Sequence, residues 1–385
     1  MKYRFTYGGA LIGKEELRAI NKIVKSNYWP LASEGKKMEA EAAKFLKVKY
    51  GILANSGSSA GLLALSALEL PKGSEVIIPA TTFPTIFNII LQCGLIPVVV
   101  DSKIGTYNLD PFELEKAISK KTKAIICVHA VGNPVDMPEV LKIAKKHKLY
   151  VLEDNCDGWG SSIGNKRVGT FGHISFTSFH AAHIVAMGQG GGVFTNDKEL
   201  AKKVRMYRDW GRQADLSSRT NNKWKSLPKD YDSRFIYEKI GYNLSPLELQ
   251  AAMGRVQLRK TNEIKRLRQR NFNYLVKRLS KFPLIMPVTV KGADVCWFAL
   301  PLYVLGKGNR GKLVAHLEKH GIETRSLFSG NILKHPAYRN IKYRQVGNLK
   351  EANLILKNAF WIGVHPRYSK KDLDYVVKVF DKFYA

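Results

Sequence analysis

Residues 178–191 read SFHAAHIVAMGQGG: a strand-like run reaches Ser178, turns through small residues at His183 and enters a glycine cluster. An imidazole is a base near neutral pH, able to take a proton at one step of a reaction and return it at another. Taken alone, a histidine after a strand serves structure as readily as chemistry. Gly57, Ser58 and Ser59, in NSGSSAGLLALSAL, stand directly before an apolar helix. Free N–H groups and the positive end of the helix dipole make an anion site there, and the same residues would also serve as a plain N-cap. Glu153 and Asp154 end the run LYVLED, and Asp157 follows it. A carboxylate beyond the carboxyl end of a parallel strand lies where ligands bind. It can keep a heteroaromatic nitrogen protonated, or it can cap the next turn.

These residues need a scaffold that gathers strand ends. The runs EVIIPA, IPVVVD, AIICVHA, LYVLED and HISFTSF are apolar enough for strands buried on both faces. Helical spacing precedes them in KEELRAINKIVKS and KKMEAEAAKFLKVKY, on either side of the loop NYWPLASEG. The alternation predicts a large α/β domain with a mostly parallel sheet over residues 1–255. After GYNLSPLELQAAMGRVQL a long basic helix runs to about Lys281. The strand CWFALPLYV and the helices GKLVAHLEKHG and KKDLDYVVKVFDKFY then predict a smaller α+β domain over residues 256–385.

Lys and Arg number 62 against 32 Asp and Glu, a formal net charge of +30. In the densest basic segment, NEIKRLRQRNFNYLVKRLSKF, the apolar residues keep helical spacing, so the charges form a solvated face rather than a nucleic-acid stripe. No apolar run approaches the roughly 20 residues of a membrane span, and the N-terminus lacks a signal-peptide core, so a cytoplasmic protein is expected. Cys93, Cys127, Cys156 and Cys296 form no CxxC pair. Reduced thiols are expected, with no zinc or iron–sulfur spacing.

Together the pieces are more specific. The anion cradle at Gly57, Ser58 and Ser59, the aromatic Phe83 in PATTFPT, the carboxylate Asp154 and the turn after Ser178 share the order and spacing of a fold-type I, aspartate aminotransferase-like, pyridoxal-phosphate enzyme. Nearly the whole chain resembles the DegT/DnrJ/EryC1/StrS sugar aminotransferases, whose usual segment is SFHxxKxxxxGEGG. His183 stands at the lysine position. That replacement resembles a branch of 3-dehydratases and 3-dehydrases of nucleotide-linked 4-keto-6-deoxy sugars, which serve deoxysugar and lipopolysaccharide biosynthesis. GNP at 132–134, EDNCD at 153–157, RDWGR at 208–212, GYNL at 241–244, LFSGN at 327–331 and FWIGVHP at 360–366 agree with it.

The resemblance implies pyridoxamine or pyridoxal 5′-phosphate as cofactor, held without the covalent bond that lysine would make. Gly57, Ser58 and Ser178 would bind its phosphate, with Ser59 beside them. Phe83 would stack on the ring, Asp154 would face the ring nitrogen, and Asp157 would lie near the ring hydroxyl, where many relatives carry glutamine. Asn243 would reach the phosphate in a second subunit, making a homodimer with shared active sites. His183 becomes the acid–base residue for removing the C3 hydroxyl, with glutamate as amino donor. GDP is the nucleotide that the resemblance favours.

Departures bear on this reading. Gln189 replaces the glutamate of GEGG, and one histidine stands where branch members often have two. The segment RDWGRQADLSSRTNNKWKSLPKDYDSRF holds none of the cysteines that ligate an iron–sulfur cluster in the reductase-coupled subgroup, which favours a redox-neutral dehydratase without a cluster. Two other readings stay open. One is an aminotransferase using another lysine, although Lys166 in GNKRVG has no motif to aim it. The other is a scaffold that binds cofactor or nucleotide sugar without turnover.

Overall fold

The computed structural model describes residues 3–213, 224–306 and 309–385. Its large sheet has eight strands in the order Tyr50–Ala54, Gly191–Thr195, Ile174–Ser178, Tyr150–Asp154, Thr122–Val128, Glu75–Pro79, Ile96–Val100 and Arg344–Gln345. Only Gly191–Thr195 runs against the rest, antiparallel to both neighbours. Side chains alternate along each strand. Val76, Ile78, Ile126 and Leu152 therefore meet the helix Gly57–Ala67 on one face, while Ile77, Ile125, Cys127 and Val151 meet the helix Met137–His147 on the other. Burial on both faces is why these runs are apolar throughout rather than alternating.

Among the strands that escape the sequence reading are the two at one edge of the large sheet. The helix expected to reach Tyr50 ends at Leu46, and Tyr50–Ala54 is already sheet. Gly191–Thr195 opens with two glycines, which carry no strand signature. Space requires them: a Cβ on Gly191 would lie 2.3 Å from the carbonyl oxygen of Ser56.

A second sheet, antiparallel, orders Leu284–Ile285, Ala299–Val304, Ala359–Gly363 and Thr324–Ser326. It shares a core with the helices Thr261–Leu279, Asn309–Lys319 and Lys370–Tyr384. Two segments cross residue 256. Arg344–Gln345 extends the large sheet beside Ile96–Val100, and Phe5 packs into the core of the small sheet. Among the described residues no helix is long and apolar enough to cross a membrane.

Candidate active site

Where the carboxyl ends of the large sheet face the small sheet lies a cavity of about 710 Å³. Gly57, Ser58, Phe83, Asp154, Asp157, Ser178 and His183 all line it; Ser59 and Asn243 do not. Ser59 belongs to the helix cap, because the Ser56 hydroxyl accepts its N–H at 3.0 Å and donates to its Oγ at 2.9 Å. Asn243 is exposed and bridges to Asp209, so RDWGR and GYNL are paired segments. GYNL also touches the cradle, since the Asn55 N–H donates to the Leu244 carbonyl at 2.8 Å.

The turn that presents His183 is closed by its own backbone. Phe179 N–H donates to Gly190 O, Met187 N–H to Phe179 O and Ala181 N–H to Gly188 O, at 2.7–2.9 Å. Phe179, Ile184, Val185 and Met187 bury their side chains in a cluster with Trp159 and Phe194. His183 therefore projects from an anchored loop. Gln189 also lines the cavity, and its carbonyl is held by Gln250 Nε2 at 2.9 Å.

Strand alternation separates Glu153 from Asp154, and Asp157 lies in the loop beyond them. Glu153 turns away from the cavity and is fully buried. It accepts from the N–H groups of Gly169, Phe171 and Gly172 at 2.6–2.7 Å. His129 Nδ1 accepts from Val135 N–H, so Nε2 carries the proton and donates to Glu153 at 3.1 Å. Asp154 faces the cavity and accepts from Cys156 N–H at 3.0 Å. Burial raises its pKa, against the pull of Cys156 and His129.

Asp157 is pushed up to about 8 by burial and by the Asp154 charge, with the Val131 N–H and Arg268 acting the other way. His183 is pushed down to about 3 by burial, aided by His180 and Arg268. The two meet at 3.4 Å, Asp157 Oδ1 to His183 Nδ1. With a neutral imidazole and a largely protonated carboxyl, this is not an ion pair at neutral pH.

Some of the lining comes from segments whose place at the cavity the sequence did not give. Phe298 places its ring 5.1 Å from the imidazole. Trp361 and Phe328, in motifs far along the chain, reach the same cavity. Phe328 and the buried Val131 both hold left-handed backbone (φ 48°), strain that surrounding structure must impose. Arg325, on the strand Thr324–Ser326, is the single Lys or Arg among the described lining residues. It lies over the Tyr7 ring at 4.7 Å and pairs with Glu323 at 2.5 Å. Only the neighbouring LFSGN hinted at this strand. Lys166 is elsewhere, its ammonium over the Phe171 ring at 4.6 Å.

A pyridine phosphate suits this donor set. Gly57 closes a cradle that a Cβ would fill, and Asp157 Oδ2 is a buried oxygen without a partner. Among the described residues no cluster of His, Cys, Asp and Glu could hold a metal ion. The cysteine-free segment after RDWGR includes residues 214–223, which lie outside the described residues.

The sequence profile of the DegT/DnrJ/EryC1/StrS aminotransferase family matches residues 10–381. The chain is 38% identical over 397 residues to the lipopolysaccharide biosynthesis protein RfbH of Salmonella typhimurium, covering 98% of this chain and 91% of that protein. It is 36% identical over 396 residues to the dTDP-4-dehydro-2,6-dideoxy-D-glucose 3-dehydratase of Saccharopolyspora spinosa, covering 98% and 86%. Among solved structures it is similar to E. coli GDP-4-keto-6-deoxy-D-mannose-3-dehydratase with bound hydrated PLP. The TM-score is 0.90 at 28% identity, over 98% of this chain and 99% of that one. The fold is the fold-type I, aspartate aminotransferase-like fold.

Proposed function

The chain belongs to the DegT/DnrJ/EryC1/StrS aminotransferase family, and on that premise we propose that it is a pyridoxal/pyridoxamine-phosphate-dependent 3-dehydratase of a nucleotide-linked 4-keto-6-deoxy sugar. One observation carries this reading: an imidazole occupies the lysine position of the family motif, and no lysine is among the described residues lining the cavity. Two of the similar proteins, a dTDP-sugar and a GDP-sugar enzyme, are 3-dehydratases by name. They differ in nucleotide, so the base is a matter for the assay.

The aminated cofactor supplies an amine for the sugar ketone and a conjugated ring that accepts electrons. Gly57, Ser58 and Ser178 would hold the phosphate at the positive end of the helix Gly57–Ala67. Phe83, half-exposed at the cavity, offers a ring face for stacking. Asp154 would keep a proton on the ring nitrogen, and that positive charge would offset the cost of its own burial. Asp157 Oδ2 would meet the ring hydroxyl. His183 takes and returns the proton. Phe298 and Trp361 shut water out from the small-sheet side. Arg325 supplies a positive charge for an anionic group of the nucleotide sugar or of glutamate. Asn243, exposed and outside its own cavity, would serve the phosphate in the second copy of a homodimer.

The test is turnover. Protein, glutamate, pyridoxal phosphate and a panel of GDP-, CDP- and dTDP-linked 4-keto-6-deoxy sugars are incubated and followed by mass. The expected product has lost one oxygen, with one 2-oxoglutarate and one ammonia formed per event and no reductase present; glutamate is the reductant. An amino sugar as product would establish amino transfer instead. Dependence on a ferredoxin-type reductase would overturn the assignment to a reductase-independent dehydratase, and tight sugar binding without product would establish the scaffold reading.

A further inference from the structure

The two nitrogens of His183 have unlike surroundings. Nδ1 is buried with no hydrogen-bond partner, 3.4 Å from Asp157 Oδ1, which leaves Nε2 as the nitrogen available to the cavity that the ring lines. Asp157 is 7% exposed, and its Oδ2 is likewise buried and unpartnered. Such orphaned atoms are rare in folded proteins and call for an explanation. Packing lies close on both sides of the pair. The Phe298 ring covers the imidazole, and the GNP turn is packed so closely beneath Asp157 that a Cβ on Gly132 would lie 3.2 Å from the Asp157 carbonyl oxygen.

We infer that Asp157 and His183 form one proton-carrying pair, in which Asp157 is a positioning residue that fixes the imidazole tautomer through Nδ1 so that Nε2 takes and returns the proton. In the base form the pair holds one proton, on Nδ1 and donated to the Asp157 carboxylate, and Nε2 presents a lone pair. Proton uptake at Nε2 gives a two-proton form. That form is an imidazolium beside a carboxylate or, after the Nδ1 proton shifts to Oδ1, a neutral imidazole beside a carboxylic acid. Loss of the Nε2 proton restores the start. Before ligand binding such hydrogen bonds are often long and poorly aligned, as the 3.4 Å contact is.

The environment gives the pair a reason to exist. A lone imidazole held at about 3 would not keep a proton at neutral pH, and a lone carboxyl at about 8 would release one reluctantly. Coupled groups titrate together, with pKa values that belong to the pair. The charged and titratable groups facing it are His180 and Arg268 at the imidazole, and Asp154, Arg268 and the buried Cys156 thiol at the carboxyl. Arg268 is itself buried in the helix Thr261–Leu279 and donates to the Phe298 carbonyl at 2.7 Å.

This inference rests on the proton role proposed for His183, but its test needs no turnover, so the two can fail separately. The full-length protein without added cofactor is acylated with diethyl pyrocarbonate between pH 5 and 9, and His183 is followed by peptide mass. The wild type should show a midpoint near neutral, with the rate falling about tenfold per pH unit below it. In Asp157→Asn the rate should vary by less than about twofold from pH 6 to 9, because a solitary imidazole there has already lost its proton. A wild-type midpoint retained in Asp157→Asn would overturn the pair. Carbodiimide labelling of Asp157 in the unmodified protein gives a second readout that depends on no variant's folding. Its midpoint should coincide with that of His183, and separate midpoints would overturn the pair as surely.

Discussion

A Cβ placed on Gly57 would lie 2.6 Å from the Cβ of Ser178. The start of the helix Gly57–Ala67 and the end of the strand Ile174–Ser178 thus meet with space for a glycine and nothing larger, at a helix start where the N–H groups of Ser59 and Ala60 are already taken by Ser56.

Gly57→Ala should therefore fold with a loss of about 1–3 kcal/mol from overpacking. Its affinity for pyridoxal phosphate should fall by about tenfold or more, equivalent to about 1.4 kcal/mol. Absorbance titration with the cofactor measures the second effect and urea unfolding the first. Unchanged affinity would show that the phosphate sits elsewhere.

His183→Lys should convert the site to covalent capture. The side chain starts from an anchored turn at the cavity wall, so an amine there would reach a bound aldehyde. After borohydride, intact mass should rise by one reduced cofactor in the variant and not in the wild type. A wild-type adduct on any lysine would revive the aminotransferase reading.

Arg325→Gln should raise KM for the substrate it engages, nucleotide sugar or glutamate, by about 10–100-fold, the value of a charge-assisted hydrogen bond. Stability should fall by about 1–2 kcal/mol, because Glu323, only 10% exposed, keeps the Tyr7 N–H but loses its cation. Comparing KM for the two substrates identifies the anion. An unchanged KM for both would remove Arg325 from recognition.

The protein without cofactor should lose stability above pH 6.5. The folded Asp157 carboxyl, at about 8 against an ordinary 3.8, keeps a proton that the unfolded chain has released, so its contribution is full below 3.8 and lost as pH rises through 8. His183 at about 3 and His365 at about 4, against 6.5, act oppositely: their contributions are full above 6.5 and lost as pH falls. Above 6.5, of these three, only Asp157 titrates. Urea unfolding at pH 6.5 and 8.5 should show wild type losing stability relative to Asp157→Asn, by about 1 kcal/mol where the proton leaves the coupled pair near neutral and by about 2 kcal/mol where Asp157 releases it alone near 8. Parallel behaviour of the two proteins would mean that Asp157 is ionised throughout.

Glu153→Gln should cost about 2–4 kcal/mol, measured by thermal unfolding of the variant. Three backbone N–H groups and His129 converge on a carboxylate with no water to replace it, and an amide would direct its own N–H at one of them. A neutral substitution would mean that this network relaxes.

Much of the scaffold was legible because its causes are local. Runs such as VIIPA and AIICV are apolar because both faces of a parallel sheet are covered, and a glycine before an apolar helix marks a place for an anion or a cap, which the rest of the motif set must decide between. Gly57, Ser58, Asp154, Ser178 and His183, singled out by the order of the motifs and the resemblance they carry, do line one cavity. Asn243 could not be placed by geometry within one chain, and Ser59 proved to be occupied with capping.

By itself, the sequence determined the strands that end at the site, the imidazole at residue 183 and a set of carboxylates near it. Tertiary structure decided which carboxylate faces which way. Alternation along Tyr150–Asp154 sends Glu153 into the backbone network and Asp154 to the cavity, while the GNP turn packs the loop that returns Asp157 to His183. It also brought Phe298, Arg325 and Trp361 from the small sheet to the opposite wall, through strand pairings between segments remote in the chain. The proton affinities were decided there too. An isolated imidazole titrates near neutral pH, but desolvation comes only from neighbours that folding assembles, so burial sets the opposed shifts of His183 and Asp157.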